Sequence, residues 1–129
     1  MDYDLLLAGG HVIDPKNDLD ARADVAIRDG KIAAVGLDLQ GTAKKTVDLG
    51  GHYITPGLID IHLHAYGRFS AWLHPDHHNL PYGVTTCVDT GSAGCEHFPD
   101  FVETIIKTAQ VRVLAFVNIV GAGMAGACE

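Results

Sequence analysis

The stretch TPGLIDIHLHAY, residues 55–66, decides how this chain is interpreted. An apolar run follows a Pro-Gly pair and ends on two histidines that one residue separates, which is typical of a strand buried on both faces. Because side chains alternate along a strand, its residues form two faces. One face becomes more polar toward the C-terminal end of the strand, and the other is apolar throughout. The first face consists of Leu58, Asp60, His62 and His64. The second, which we expect to pack under helices, consists of Ile59, Ile61 and Leu63.

The composition of the chain bears on its partners and on the compartment in which it works. The chain has 129 residues with nine basic and sixteen acidic side chains, a net charge of −7 that argues against a nucleic-acid or anionic-membrane partner. Its three cysteines, Cys87, Cys95 and Cys128, do not form the even set of a disulfide framework, and we expect buried, reduced residues in a cytoplasmic protein. We expect no signal peptide, because the first apolar run is short and has an acidic flank, and the most apolar later segment, residues 111–127, is shorter than a membrane span.

Residues 1–54 read as short strands separated by turn residues. The clearest signal is RDGK, residues 28–31, where Asp-Gly between two apolar runs predicts a hairpin with a type I′ turn. We therefore expect part of a small β-sandwich here.

Residues 55–129 have a different pattern, in which buried strands alternate with a crossover and a helix. GVTTCVDTG (83–91) and VRVLAFVNIVG (111–121) predict two more buried strands, and HFPDFVETIIKTAQ (97–110) has apolar residues at helical spacing. This order is that of a parallel α/β sheet, and in (β/α)8 barrels the active site lies at the C-terminal ends of the strands. His62 and His64 end the first strand.

Two imidazoles one strand repeat apart can converge on a single divalent cation of the zinc type. The alternative is that His62 and His64 are polar residues at a strand end by chance, but their position after a buried strand favours metal binding. The cluster HPDHH, residues 74–78, can be read as a second metal site, although histidines on a surface or pocket wall are the more economical interpretation.

Three stretches carry a family resemblance: DVAIRDGKIAAVG (24–36), VDLGGHYITPGLIDIHLH (47–64) and GVTTCVDTGSAG (83–94). Together they resemble the N-terminal portion of the amidohydrolase superfamily, which contains dihydroorotases, hydantoinases and deacetylases. Within it the chain is more similar to the dihydroorotase-like deacetylases, because true dihydroorotases tend to have a Met-Pro-Asn sequence where this chain has Thr90-Gly91-Ser92.

The resemblance implies a metal-dependent hydrolase of C–N bonds, in amides or cyclic amides, or of esters, in which a metal-activated hydroxide attacks the carbonyl. His62 and His64 match ligands of one or two divalent ions, with zinc the first choice. A carboxylated lysine, two further histidines and a catalytic aspartate belong to later strands, so we expect them beyond Glu129. The alternative is a non-catalytic, dihydropyrimidinase-like scaffold or assembly protein.

The expected fold is α/β and truncated. Residues 1–54 would be the N-terminal part of a composite β-sandwich domain, and residues 55–129 roughly the first three β/α units of a TIM-barrel hydrolase domain. We expect an N-terminal fragment that is inactive alone, from an enzyme that acts on a small acylated or cyclic amide substrate and that can form a homo-oligomer.

Five other residues are candidates for supporting the metal or lining the substrate pocket. Asp60 can orient the metal site or accept backbone hydrogen bonds as a structural carboxylate. Tyr66 and Arg68 follow the histidines where substrate would approach, and Arg68 can hold a substrate carboxylate or be a solvated loop residue. Asp89 is expected to shape the mouth of the site rather than contact substrate, and Asn118 to face the pocket.

Overall fold

The computed structural model describes residues 2–67 and 72–126. The chain divides at Pro56 into two compact units, Met1–Pro56 and Gly57–Glu129. Among the described residues, no helix has the length and apolarity needed to cross a bilayer.

The first unit contains a mixed five-stranded sheet. Its strands are β1 (Tyr3–Asp14), β2 (Leu19–Arg28), β3 (Lys31–Gly36), β4 (Ala43–Asp48) and β5 (Tyr53–Ile54), with a 3-10 turn at Pro15–Asn17 between β1 and β2. The order is β3-β2-β1-β4, and β5 also pairs with β1. β2 runs antiparallel to β1 and β3, whereas β4 and β5 run parallel to β1.

The predicted hairpin is confirmed. Asp29 and Gly30 separate β2 from β3 and have φ angles of 52° and 70°, which are the two positive values that a type I′ turn requires. Gly9 and Gly10 have the character of turn residues in the sequence, but they do not separate two strands. β1 runs through both glycines, and a register shift between Leu7 and Gly10, with Gly9 at φ 72°, accommodates them as a bulge.

Apolar side chains on one region of this sheet form its core. Val12, Ala23 and Val25 are buried, and Leu7, Leu19 and Ile54 pack against them. In the described part of the chain these residues belong to a single sheet, so the second layer of a sandwich stays a prediction.

The second unit contains a three-stranded parallel sheet in the order β6-β7-β8. The strands are β6 (Leu58–Leu63), β7 (Val84–Asp89) and β8 (Arg112–Ala115). A short helix α1 (Pro75–His78) and a 3-10 turn (Leu80–Tyr82) precede β7. The helix α2 (Phe98–Phe101) precedes β8 and continues as a π-helix (Val102–Ile106). A 3-10 turn (Gly123–Gly126) follows β8. The predicted order of strand, crossover, strand, helix and strand is confirmed.

The helical segment packs where the spacing of apolar residues indicated. The core of this unit joins the end of β6 to β7, β8 and the helix through Leu63, Cys87, Phe101, Ile105, Val111 and Val113. The expectation that the whole apolar face of β6 is covered is wrong. Ile59 and Ile61 are 63% and 75% exposed, because the core cluster takes in only Leu63 from this strand.

The third strand is shorter than predicted. β8 ends at Ala115, and the rest of the apolar run continues as a loop that forms one bridge, between Asn118 and Gly94. Gly94 lies so close to this loop that a Cβ atom there would be 1.9 Å from the carbonyl oxygen of Val120. This close approach of the loop after β7 to the loop after β8 explains why residues 116–121 do not continue β8 as a strand paired with β7.

Candidate metal site at the strand ends

Two imidazole rings lie side by side at the C-terminal end of β6. The ring centroids of His62 and His64 are 5.4 Å apart, and the ring planes are nearly perpendicular, at 87°. His62 is exposed and His64 is half-buried. The alternation predicted for a strand therefore places two nitrogen donors together.

His64 has a polar neighbour from the next strand end. Its Nδ1 lies 3.2 Å from the hydroxyl oxygen of Ser92, in the loop that follows β7. Ser92 is buried, with 1% of its surface exposed. From the sequence alone, Ser92 is named only in the comparison with true dihydroorotases. Its contact with His64 was missed, because the pairing of β6 with β7 brings the two residues together.

Asp60 contacts the backbone of the strand that carries the histidines. The amide N–H of His62 donates to Oδ1 of Asp60 at 3.0 Å. This contact fits the structural alternative for Asp60, and its support of a metal stays a prediction.

Asp89 is a fully buried carboxylate at the end of β7. Its Oδ2 accepts a hydrogen bond from the amide of Ala65 at 2.7 Å. Its Oδ1 accepts from the amides of Gly91 at 3.0 Å and Ser92 at 2.7 Å. The carboxylate thus joins the residue after His64 to the loop after β7, which fits the expected shaping role, and contact with substrate is not needed to account for its burial.

Asn118 links the loops after β7 and β8. Its amide nitrogen Nδ2 donates to the carbonyl of Gly91 at 2.8 Å, and its Oδ1 accepts from the amide of Val120 at 2.9 Å. Its backbone N–H donates to the carbonyl of Ala93 at 2.9 Å. These bonds give Asn118 a loop-bracing role, and its contact with a pocket stays a prediction.

Tyr66 is turned into the core. It is 3% exposed, its ring centroid lies 5.2 Å from that of Phe101, and its hydroxyl donates to Oδ2 of Asp100 at 2.5 Å. This placement fixes the segment after His64 against the helix, so the structure does not favour Tyr66 as a residue met by substrate. Arg68 lies outside the described residues.

The HPDHH cluster consists of α1 and its N-cap residue His74, and its side chains pack against one another and bind the segment before β8. The rings of His74 and His77 stack with centroids 4.5 Å apart, while the carboxylate of Asp76 accepts hydrogen bonds from the amides of Gln110 and Val111 at 2.9–3.0 Å. Burial alone would raise the pKa of Asp76, but these amides and the two histidines lower it below its ordinary value. Sequence reasoning missed this link between α1 and the start of β8.

No group of three histidine, cysteine, aspartate or glutamate side chains that could hold a metal occurs within residues 2–67 and 72–126. The two predicted ligands, His62 and His64, do lie together at the end of β6. A protein zinc site uses at least three ligands, so this pair alone does not form one, and its role in metal binding stays a prediction.

In the described part of the chain, neither Cys87 nor Cys95 belongs to a group of three side chains that could hold a metal. Burial, with the nearby charges of Asp60 and Asp89, raises the pKa of Cys87 to about 11, which keeps its thiol protonated and unreactive. The expectation of burial is wrong for Cys95, which is exposed, and Cys128 lies outside the described residues.

Two deacetylases are similar in sequence to most of this chain. The chain is 35% identical to a deacetylase of Enterococcus faecalis over 121 residues, which are 92% of this chain and 31% of the relative. It is 42% identical to a deacetylase of Agrobacterium fabrum over 98 residues, 74% of this chain and 24% of the relative. The chain thus spans about a third or less of the length of these relatives. No protein-family profile matches it.

Solved structures share the fold. A dihydroorotase matches 97% of this chain, and 33% of its own, with a TM-score of 0.84 and 34% identity. An adenine deaminase matches 98% of this chain and 33% of its own, with a TM-score of 0.80 and 34% identity. A D-aminoacylase described as defining a subset of amidohydrolases matches 73% of this chain and 19% of its own, with a TM-score of 0.53 and 32% identity. The chain therefore belongs to the amidohydrolase superfamily, and its relatives include deacetylases, dihydroorotases and adenine deaminases.

Proposed function

We propose that this chain is the N-terminal portion of a metal-dependent hydrolase that cleaves an amide, cyclic amide or ester bond of a small acylated substrate. The observation that carries the proposal is the His62–His64 pair at the C-terminal end of a parallel strand, with ring centroids 5.4 Å apart. Deacetylases and dihydroorotases among the relatives support this class of substrate.

The same proposal assigns the two units. Residues 1–54 would be the N-terminal part of a β-sandwich, and residues 55–129 roughly the first three β/α units of a (β/α)8 barrel, in a cytoplasmic enzyme that can form a homo-oligomer. The parallel order β6-β7-β8 supports the barrel assignment, because such a barrel is built from parallel strands. Its active site lies at their C-terminal ends, which is where His62 and His64 lie on β6.

His62 and His64 fit a divalent metal, with zinc the first choice among them. Two adjacent imidazoles are donors that zinc prefers, and the remaining ligands would come from outside the described residues, the carboxylated lysine among them. When bound, such a metal lowers the pKa of a water and polarises the scissile carbonyl. The residues of this chain contribute by holding the two imidazoles at one strand end: Asp60 binds the amide of His62, and Asp89 binds the amide that follows His64.

The test uses the complete polypeptide that contains these 129 residues, purified as wild type and as the His62→Ala/His64→Ala double variant. We expect the wild type to contain one or two equivalents of metal and to hydrolyse N-acyl amino acids, O-acyl esters or dihydroorotate. The double variant should lose metal and at least 100-fold in kcat/KM. A His52→Ala variant is the control, because His52 is an exposed histidine of the first unit.

Full metal content and full activity in the double variant would contradict the ligand assignment. A wild-type protein with neither metal nor hydrolysis would favour the dihydropyrimidinase-like scaffold instead. We also propose that residues 1–129 alone are inactive, since they would supply only two ligands; turnover by the purified 129-residue chain would contradict that.

A further inference from the structure

We infer that Ser92 is a positioning residue for His64. Its hydroxyl oxygen accepts a hydrogen bond from Nδ1–H of His64, which assigns Nε2 as the nitrogen that binds a metal. The inference rests on the function proposed above. Histidines that bind metals in proteins almost always donate their second ring N–H to an acceptor, and this bond fixes both the tautomer and the ring orientation.

The backbone around Ser92 holds its hydroxyl in place. The amide of Ser92 donates to the buried carboxylate of Asp89 at 2.7 Å, and the carbonyl of Ser92 accepts from the amide of Met124 at 3.0 Å. Both bonds use main-chain atoms. A Ser92→Ala substitution therefore removes the hydroxyl that contacts His64 and leaves these two bonds in place, which separates positioning of the imidazole from folding of the loop.

The distance of 3.2 Å between Nδ1 and the hydroxyl oxygen fits either direction of the hydrogen bond. If the hydroxyl were the donor, Nδ1 would be unprotonated, the ring proton would lie on Nε2, and Nε2 could not bind a metal without losing it. The inference therefore has a signature that a purely structural contact would lack: in the neutral ring of His64, the proton lies on Nδ1.

The first experiment is nitrogen-15 NMR of the imidazole groups in the complete polypeptide that contains these 129 residues, freed of metal, at a pH where the rings are neutral. We expect the proton of His64 on Nδ1 in the wild type and on Nε2, or exchanging between the two nitrogens, in Ser92→Ala. Ser92→Thr should restore the wild-type pattern, since it keeps the hydroxyl. Thr90→Ala is the matched control, because the Thr90 hydroxyl lies 3.5 Å from the carbonyl of Leu63.

The second experiment is a titration of the same four proteins with Zn2+, followed at the signals of His62 and His64. Ser92→Ala should weaken Zn2+ binding by about 10- to 100-fold, the usual effect of removing the partner of a ligating histidine. Ser92→Thr and Thr90→Ala should stay within about threefold of the wild type.

Two results would overturn the inference: a wild-type His64 protonated on Nε2, or a Ser92→Ala variant with unchanged tautomer and unchanged Zn2+ affinity. Failure of the proposed function looks different, because His64→Ala would then bind Zn2+ as the wild type does. A wild-type chain in which Zn2+ changes neither imidazole signal would count against both.

Discussion

The sharpest structural prediction concerns the buried carboxylate of Asp89. Replacing it by asparagine preserves the shape of the side chain but leaves one acceptor oxygen where there were two. In the wild type one oxygen serves the amides of Gly91 and Ser92, and the other serves the amide of Ala65. In Asp89→Asn, the NH2 group must therefore face at least one backbone N–H, and that donor stays buried without an acceptor.

The size of the effect follows from these three bonds. One unsatisfied buried donor costs about 1–3 kcal/mol, and replacing a charged acceptor by a neutral one weakens each of the other two bonds by about 1 kcal/mol. The expected loss in the free energy of unfolding is thus about 3–5 kcal/mol. Because small domains have about 5–15 kcal/mol in total, this loss is a large fraction of the stability of the unit.

Urea denaturation followed by the fluorescence of Trp72, the single tryptophan of the chain, measures the unfolding of the unit that contains Asp89. With a urea dependence of about 2 kcal/mol per molar, the midpoint should fall by about 2 M. Asp38→Asn is the control for loss of one negative charge, since Asp38 is exposed. A loss below about 1 kcal/mol in Asp89→Asn would refute the assignment of these three amides to the carboxylate.

Three further predictions concern the second unit. Iodoacetamide at pH 8 should label the exposed Cys95 in the native chain, whereas Cys87 should react only after unfolding, as peptide mass mapping will show. The pKa of Cys87 is raised to about 11 in the folded state, so above about pH 9 the unfolded state binds fewer protons than the folded state. The free energy of unfolding should therefore fall between about pH 9 and 11. The Cys87→Ala variant should lose this part of the pH dependence. Gly94→Ala should lower the free energy of unfolding by at least about 2 kcal/mol in urea denaturation, since its Cβ would lie 1.9 Å from the carbonyl oxygen of Val120. Gly51→Ala, with open space but φ 79°, should cost only about 1 kcal/mol; equal losses in the two variants would contradict the steric argument.

Features that depend on near neighbours in sequence could be predicted. The Asp29-Gly30 turn is encoded by two residues that tolerate positive φ, and the pairing of His62 with His64 needs only the two-residue repeat of a strand. The helix over residues 98–106 follows from apolar spacing. In each case the interaction that decides the conformation lies within one turn or one strand.

Features that depend on the alignment of distant segments could not be predicted. The exposure of Ile61 depends on which part of β6 the helix covers, and the early end of β8 depends on the contact of Gly94 with the carbonyl oxygen of Val120. Likewise, the bond from Ser92 to His64 spans 28 positions and exists only in one register of β6 against β7. A shift of that register by one residue would turn the histidines to the other face.

That register also explains why His64 is fixed more firmly than its partner. Leu63 pairs with Asp89 across the two strands, and the carbonyl of Leu63 accepts a hydrogen bond from the amide of Thr90 at 3.0 Å. On the other side of His64, the amide of Ala65 is held by the carboxylate of Asp89. The backbone of His64 is therefore fixed on both flanks by the neighbouring strand end.

His62 has no partner in the register of β6 against β7 in the described part of the chain. Its amide binds Asp60, two residues earlier on the same strand, and its ring is exposed. A ligand pair built in this way has one imidazole whose position is set by the fold and one that can still adjust. If the proposed function is correct, the fixed imidazole determines where a metal lies, and the exposed one completes the coordination when the metal arrives. His62→Ala should then weaken Zn2+ binding less than His64→Ala does, because the ordering of the His62 side chain opposes binding whereas His64 is already in place.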